Sequence, residues 1–107
     1  MAFHRMKVGD LRPVFYATVK RAGAVDLTGA TAVLRMGLAG SAETVDYSLT
    51  VVSAEDGIVQ YEWSTGDTDV AGTYQASIIV TWPDSDPETF PTKGFLEIVI
   101  EEGLAEP

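Results

Sequence analysis

The residues able to do chemistry are few. The chain has one histidine, His4, no cysteine, and 16 carboxylates against seven lysines and arginines. A Ser-His-Asp triad needs a histidine held rigidly beside a nucleophile, and His4 falls in residues 1–5, read as a loose arm, so it is read as non-catalytic. A zinc site on one histidine would have only carboxylates as further ligands. Asp84, Asp86 and Glu88 alternate and could converge on Ca²⁺ if their loop curled, but the EF-hand spacing and its glycine are missing, and a solvated turn accounts for them. Asp67 and Asp69 form a weaker pair, with Asp67 read as a cap. Paired acids could hydrolyse glycosides, although so small a chain offers little cleft. The expectation is no enzyme, no metal and no cofactor. Six aromatics (Tyr16, Tyr47, Tyr61, Trp63, Tyr74 and Trp82) could stack on sugar, but most share register with aliphatic neighbours and read as core. Tyr16 alone reads as outward.

The elements that must carry these groups follow from composition and period. At 107 residues and 46% hydrophobic, the chain fits one domain, 1–107, with an ordered core of about 6–101. With no cysteine and no asparagine, neither a disulfide nor an N-glycosylation sequon exists, and folding in a reducing cytosol is mildly favoured. No apolar run spans a bilayer, and residues 1–7 lack the apolar core of a signal peptide. The net charge of −9 is unevenly placed. Residues 1–37 hold Arg5, Lys7, Arg12, Lys20, Arg21 and Arg35 against Asp10 and Asp26, whereas 38–107 hold 14 acids against Lys93. Nucleic acid and membrane are not expected partners.

Two-residue alternation dominates. A short strand at 6–9 precedes 13–20, where Phe15, Ala17 and Val19 share a face. Ala30, Ala32, Leu34 and Met36 align next, then Val45, Tyr47, Leu49 and Val51, then Val59, Tyr61 and Trp63. The clearest strand, 73–82, aligns Tyr74, Ala76, Ile78, Val80 and Trp82. A last strand, 88–101, carries Leu96, Ile98 and Ile100, bent at Pro91 and Gly94. Gly37 to Ala42 reads as a loop. Ser64-Thr65-Gly66-Asp67 reads as a capping box before one helical turn. Asp26-Leu27-Thr28-Gly29 and Pro83-Asp84-Ser85-Asp86-Pro87 read as turns. Gly72-Thr73-Tyr74 reads as a tyrosine corner, its hydroxyl tied to upstream backbone. The fold class predicted is all-β: an Ig-like antiparallel β-sandwich of about seven strands. Ala76 stands where antibody domains have a cysteine, so it is not an antibody-type domain.

The order of Lys7-Val8-Gly9-Asp10, Arg12-Pro13-Val14-Phe15, Val25-Asp26-Leu27-Thr28-Gly29-Ala30, Ala32-Val33-Leu34-Arg35-Met36, Asp56-Gly57-Ile58-Val59-Gln60-Tyr61, Ala71-Gly72-Thr73-Tyr74, Trp82-Pro83-Asp84 and Glu88-Thr89-Phe90-Pro91 resembles the N-terminal domain of phage upper-baseplate proteins and related Ig-like phage tail proteins. The resemblance covers most of 6–101. It implies a structural and assembly module of a virion (tail, baseplate or head–tail neck), made in the host cytoplasm and contacting other phage structural proteins. The family continues into a coiled coil or receptor-binding region, whereas this chain stops at Pro107, which points to an adaptor or to a fragment.

Copies joined through sandwich edges are expected to form a homo-oligomer, with 6–9 and 95–101 as docking strands. Phe3 and Met6 would insert from a loose arm, and Tyr16, Val33, Ile79 and Phe95 are the candidate contact residues. The alternative is a carbohydrate-binding Ig-like module of a bacterial surface or secreted protein, with Tyr16 as its platform.

Overall fold

The computed structural model describes residues 4–20, 23, 25–91 and 94–103. Nine strands fall within them: β1 (His4–Lys7), β2 (Phe15–Thr18), β3 (Thr31–Leu38), β4 (Val45–Ser48), β5 (Thr50–Ser53), β6 (Ile58–Tyr61), β7 (Gly72–Thr81), β8 (Pro87–Phe90) and β9 (Leu96–Glu101). They build two sheets. One runs β1-β9-β7-β3-β4, with β8 also paired to β7; the other runs β2-β6-β5.

The alternation of apolar residues explains the sandwich. Phe15, Ala17 and Val59 point inward from the small sheet and are at most 4% exposed. Leu34, Ile78, Val80, Ile98 and Ile100 meet them from the large sheet, none more than 3% exposed. Each of these Phe, Val, Leu and Ile side chains, removed from water, contributes about 1.5–3 kcal/mol. Val25, Leu27, Leu49, Trp63 and Phe90 close the remaining margins of the same cluster.

Turn chemistry fixes the connections. The Asp26 carboxylate accepts from the Thr28 amide at 2.9 Å and from its hydroxyl at 2.5 Å, and Gly29 takes φ +78°. Gly57 adopts φ +69°, and a Cβ there would sit 2.6 Å from the Val25 carbonyl and 2.8 Å from that of Val19. The close approach lets Val19 donate to the Gly57 carbonyl at 2.7 Å.

The structure corrects the sequence reading in six places. The stretch 45–51 is two strands in different sheets: β4 pairs β3 and β5 pairs β6, the chain crossing over at Leu49. Alternation stays in phase across the crossing, so period alone does not reveal it. Val45, expected inward, is 54% exposed, because β4 is a sheet edge whose end is not roofed by the smaller sheet. The stretch 88–101 divides into β8 and β9, broken around Pro91, which has no amide to offer a ladder; both pieces lie along β7. The first strand begins at His4, within the expected loose arm, and pairs with β9 in parallel rather than antiparallel fashion. Finally, β3 runs on to Leu38, and residues 65–68 form a turn with no helix.

Candidate functional site

One end of the sandwich gathers the loops after β1, β3 and β6. The Gly9 amide donates to the Thr68 carbonyl at 3.0 Å, and the Thr68 hydroxyl to the Asp10 carbonyl at 2.9 Å. Thr68 is fully buried, so this bond ties the two loops together. The Ala39 amide donates to the Thr73 carbonyl at 2.9 Å. Gly37 lets the β3–β4 connection return across the strand, since a Cβ there would collide with the Glu43 carbonyl.

Asp67 organises the loop between β6 and β7. Its Oδ2 accepts the Ser64 amide at 2.7 Å and the Tyr61 hydroxyl at 2.7 Å. The Asp67 amide donates to the Ser64 carbonyl at 3.0 Å. The acid thus reaches back to the Ser64 amide as in a capping box, but the chain closes a turn instead of starting a helix. Further along, the Tyr74 hydroxyl donates to the Val70 carbonyl at 2.6 Å, four residues upstream. This is the tyrosine corner expected from Gly72-Thr73-Tyr74.

Aromatic rings line the wall beneath. Tyr47 and Tyr61 lie 5.0 Å apart, Tyr61 and Trp63 5.3 Å, and Tyr47 and Trp63 6.0 Å, the last two edge to face. His4 continues the run, 5.9 Å from both Trp63 and Phe15. Burial pushes the Tyr61 hydroxyl up to about 12, with Asp67 adding to the shift. Tyr47 is raised by burial and then by the Asp67 charge, and Tyr74 by burial. All three hydroxyls therefore keep their protons near neutral pH.

Above these rings opens a cavity of about 230 Å³ lined by Leu38, Val45, Tyr47, Asp67, Val70 and Tyr74, among others. A second, of about 180 Å³, opens where β2 faces the break between β8 and β9, with Ala17, Val19, Ile78, Phe90 and Leu96 in its wall. Among the described residues its wall is mainly apolar and offers no group for chemistry beyond the hydroxyl of Thr18 and the amine of Lys20.

The candidate residues from the sequence do not converge. His4 is not frayed: it sits in β1, half-buried, with burial lowering its pKa against the opposing effect of a Pro13 backbone hydrogen bond. Its Nε2 and the Trp63 Nε1 are buried and find no hydrogen-bond partner among the described residues. Met6 cannot serve as an inserting residue, because β1 turns it inward opposite Ile100 and leaves it 5% exposed. Phe3 lies outside the described residues. Val33 and Ile79 are register partners on the outer side of the large sheet, whereas Tyr16 projects from β2 of the small sheet, 52% exposed. Tyr16 therefore does not join them in one patch. Phe95, 63% exposed, precedes β9. Nor is β9 a free edge, since β1 and β7 flank it; the edges of the large sheet are instead β1, β4 and β8, the last bonded to β7 alone among the described strands. Asp84 accepts the Asp86 amide at 3.2 Å and Glu88 the Trp82 indole at 3.0 Å, so these acids are occupied in shaping the turn. Among the described residues, no group of three or more acids or histidines gathers as a metal site.

The cavity residues Leu38, Val45 and Val70 were not legible as a site, for they belong to three separate segments. Their sole shared signal is apolarity beside turn residues.

The described end-loop geometry belongs to a chain whose residues 4–105 match the sequence model of the BppU N-terminal domain. The protein belongs to the family of baseplate upper protein N-terminal domains. A search of curated proteins finds no match. Membership makes the chain a phage structural module and a virion component associated with other phage structural proteins.

Proposed function

We propose that this upper-baseplate domain is a non-enzymatic assembly module of a phage or prophage tail, baseplate or neck, acting through protein–protein contacts and as a homo-oligomer made in the host cytoplasm. The family match across 4–105 carries this reading. Support comes from the loop end of the sandwich, which is fixed by hydrogen bonds yet presents Leu38, Val45 and Val70 to water. Rigid loops bearing apolar side chains suit docking without a large ordering cost.

The immunoglobulin-like description is part of the proposal. With β2, β6 and β5 as strands B, E and D, and β3, β7 and β9 as C, F and G, the order follows that sandwich, and β4 occupies the place of the added strand of variable domains. The charge of −9 supports a role away from nucleic acid and anionic membrane. The family does not favour the carbohydrate-binding alternative.

Mass spectrometry of purified particles tests the role. The chain is expected in the tail or baseplate fraction at several copies per particle. Its presence only in the unassembled pool of the lysate would contradict the proposal.

A further inference from the structure

We infer that the 230 Å³ cavity between the β3–β4 connection and the 64–71 loop receives an arginine or lysine side chain carried on an apolar stretch of a different protein of the particle. The inference rests on the assembly role proposed above and specifies its chemistry.

The cavity lining joins the parts that recognise an organic cation. Tyr47 and Tyr74 contribute rings, whose faces attract cations. Glu43 and Asp67 contribute carboxylates, which make the stronger charge-assisted hydrogen bonds to guanidinium or ammonium. No lysine or arginine among the described residues lines the cavity. The Asp67 carboxylate is met, among the described residues, by the neutral donors of Tyr61 and Ser64, both on Oδ2. Among the described residues the ion pairs are those of Arg5 and Lys7 with Glu101 and of Arg35 with Asp46. Asp67 thus has no cationic partner among the described residues, and it lines the cavity together with the rings of Tyr47 and Tyr74.

The rim determines what must carry the cation. Leu38, Val45 and Val70 are 37%, 54% and 58% exposed. Single exposed apolar residues are ordinary, but three around one acid-bearing cavity form an apolar collar. A free small cation would leave that collar wet. A basic side chain flanked by apolar neighbours covers it, and excluding water strengthens the central charge pair.

Charge complementarity selects a different protein over a second copy. Leu11-Arg12 offers the right chemistry within this chain: Leu11 is 41% exposed and Arg12 forms no ion pair among the described residues. That segment, however, lies beside the 64–71 loop at the same end of the sandwich. Its use by a second copy would press two such ends together, each chain at −9.

The test is an amide-shift titration of the ¹⁵N-labelled full chain with N-acetyl-arginine amide and with its neutral isostere, N-acetyl-citrulline amide. Saturable shifts are expected at residues 36–47 and 64–74 with the arginine compound, about tenfold weaker with citrulline, in line with a cation–π contact plus a carboxylate. Asp67→Asn keeps an oxygen for the Ser64 amide and the Tyr61 hydroxyl, and should weaken arginine binding about tenfold. Should that variant fail to fold, Glu43→Gln and Val70→Ser at the rim give the same readout with smaller losses. Shifts elsewhere, no saturation, equal response to both compounds, or full binding by the variants would overturn the inference. So would a sedimenting dimer that Arg12→Ala dissolves, since it would seat a second copy there. Arginine binding by a chain absent from particles would instead sink the assembly role and leave the cavity's chemistry standing.

Discussion

The layer between the sheets and the loop end above Tyr47 are built on opposite principles. The layer is held by apolar burial, with Phe15, Leu34, Val59, Val80 and Ile98 fully inaccessible. At the loop end, hydrogen bonds from Tyr61, Ser64, Thr68 and Tyr74 hold the backbone, while Leu38, Val45 and Val70 face water. A side chain that stabilises the fold is spent in the layer. At the end, polar groups fix the shape, and the apolar side chains stay in water.

The contrast breaks or sharpens by substitution. Ile98→Ala, in the middle of the layer, should lose about 3 kcal/mol, from lost transfer energy and the cavity left behind; urea denaturation measures it, and a loss under 1 kcal/mol would deny the layer its dominance. Asp67→Ala should cost about 2 kcal/mol, because the Tyr61 hydroxyl and Ser64 amide both lose their acceptor. Tyr74→Phe, which removes one bond to Val70 and keeps the ring, should cost about 1 kcal/mol in the same assay. His4 tests the seam between the regions. Its folded pKa lies below the ordinary 6.5, so the unfolded chain binds the extra proton first as pH falls. Stability should therefore be full above pH 6.5 and decline as acid is added below it. Thermal melts from pH 8 to 5 should show that decline, and His4→Phe should flatten it. Val70→Ser should move stability by less than about 0.5 kcal/mol, since its side chain is mostly in water.

Most of the layer was legible in the sequence. Phe15 to Val19, Ala32 to Met36 and Ala76 to Val80 alternate, and each is buried on the expected side. What the alternation does not encode is which sheet a strand joins. Val45 and Val51 share phase but sit in different sheets, and only the pairing of β4 with β3 and β5 with β6 separates them. His4 and Arg5 carry no strand signal, yet pairing with Ile98 and Val99 makes them one. At the loop end, Tyr74 was readable because its corner is a local device, closed within four residues. Asp67 was half readable: its bond back to Ser64 is local, but its acceptance of the Tyr61 hydroxyl depends on where β6 ends. The collar of Leu38, Val45 and Val70 arises where the end of β3, the start of β4 and the loop before β7 meet, and no one segment records it.

Amide hydrogen exchange, compared between the free chain and the same chain in purified particles, tests the assignment of docking to the loop end most directly. Assembly should add protection at 37–47 and 64–74 and leave the outer face of β2 and β5, around Tyr16 and Val52, as in the free protein. Protection confined to that outer face, or none at the loop end, would contradict it.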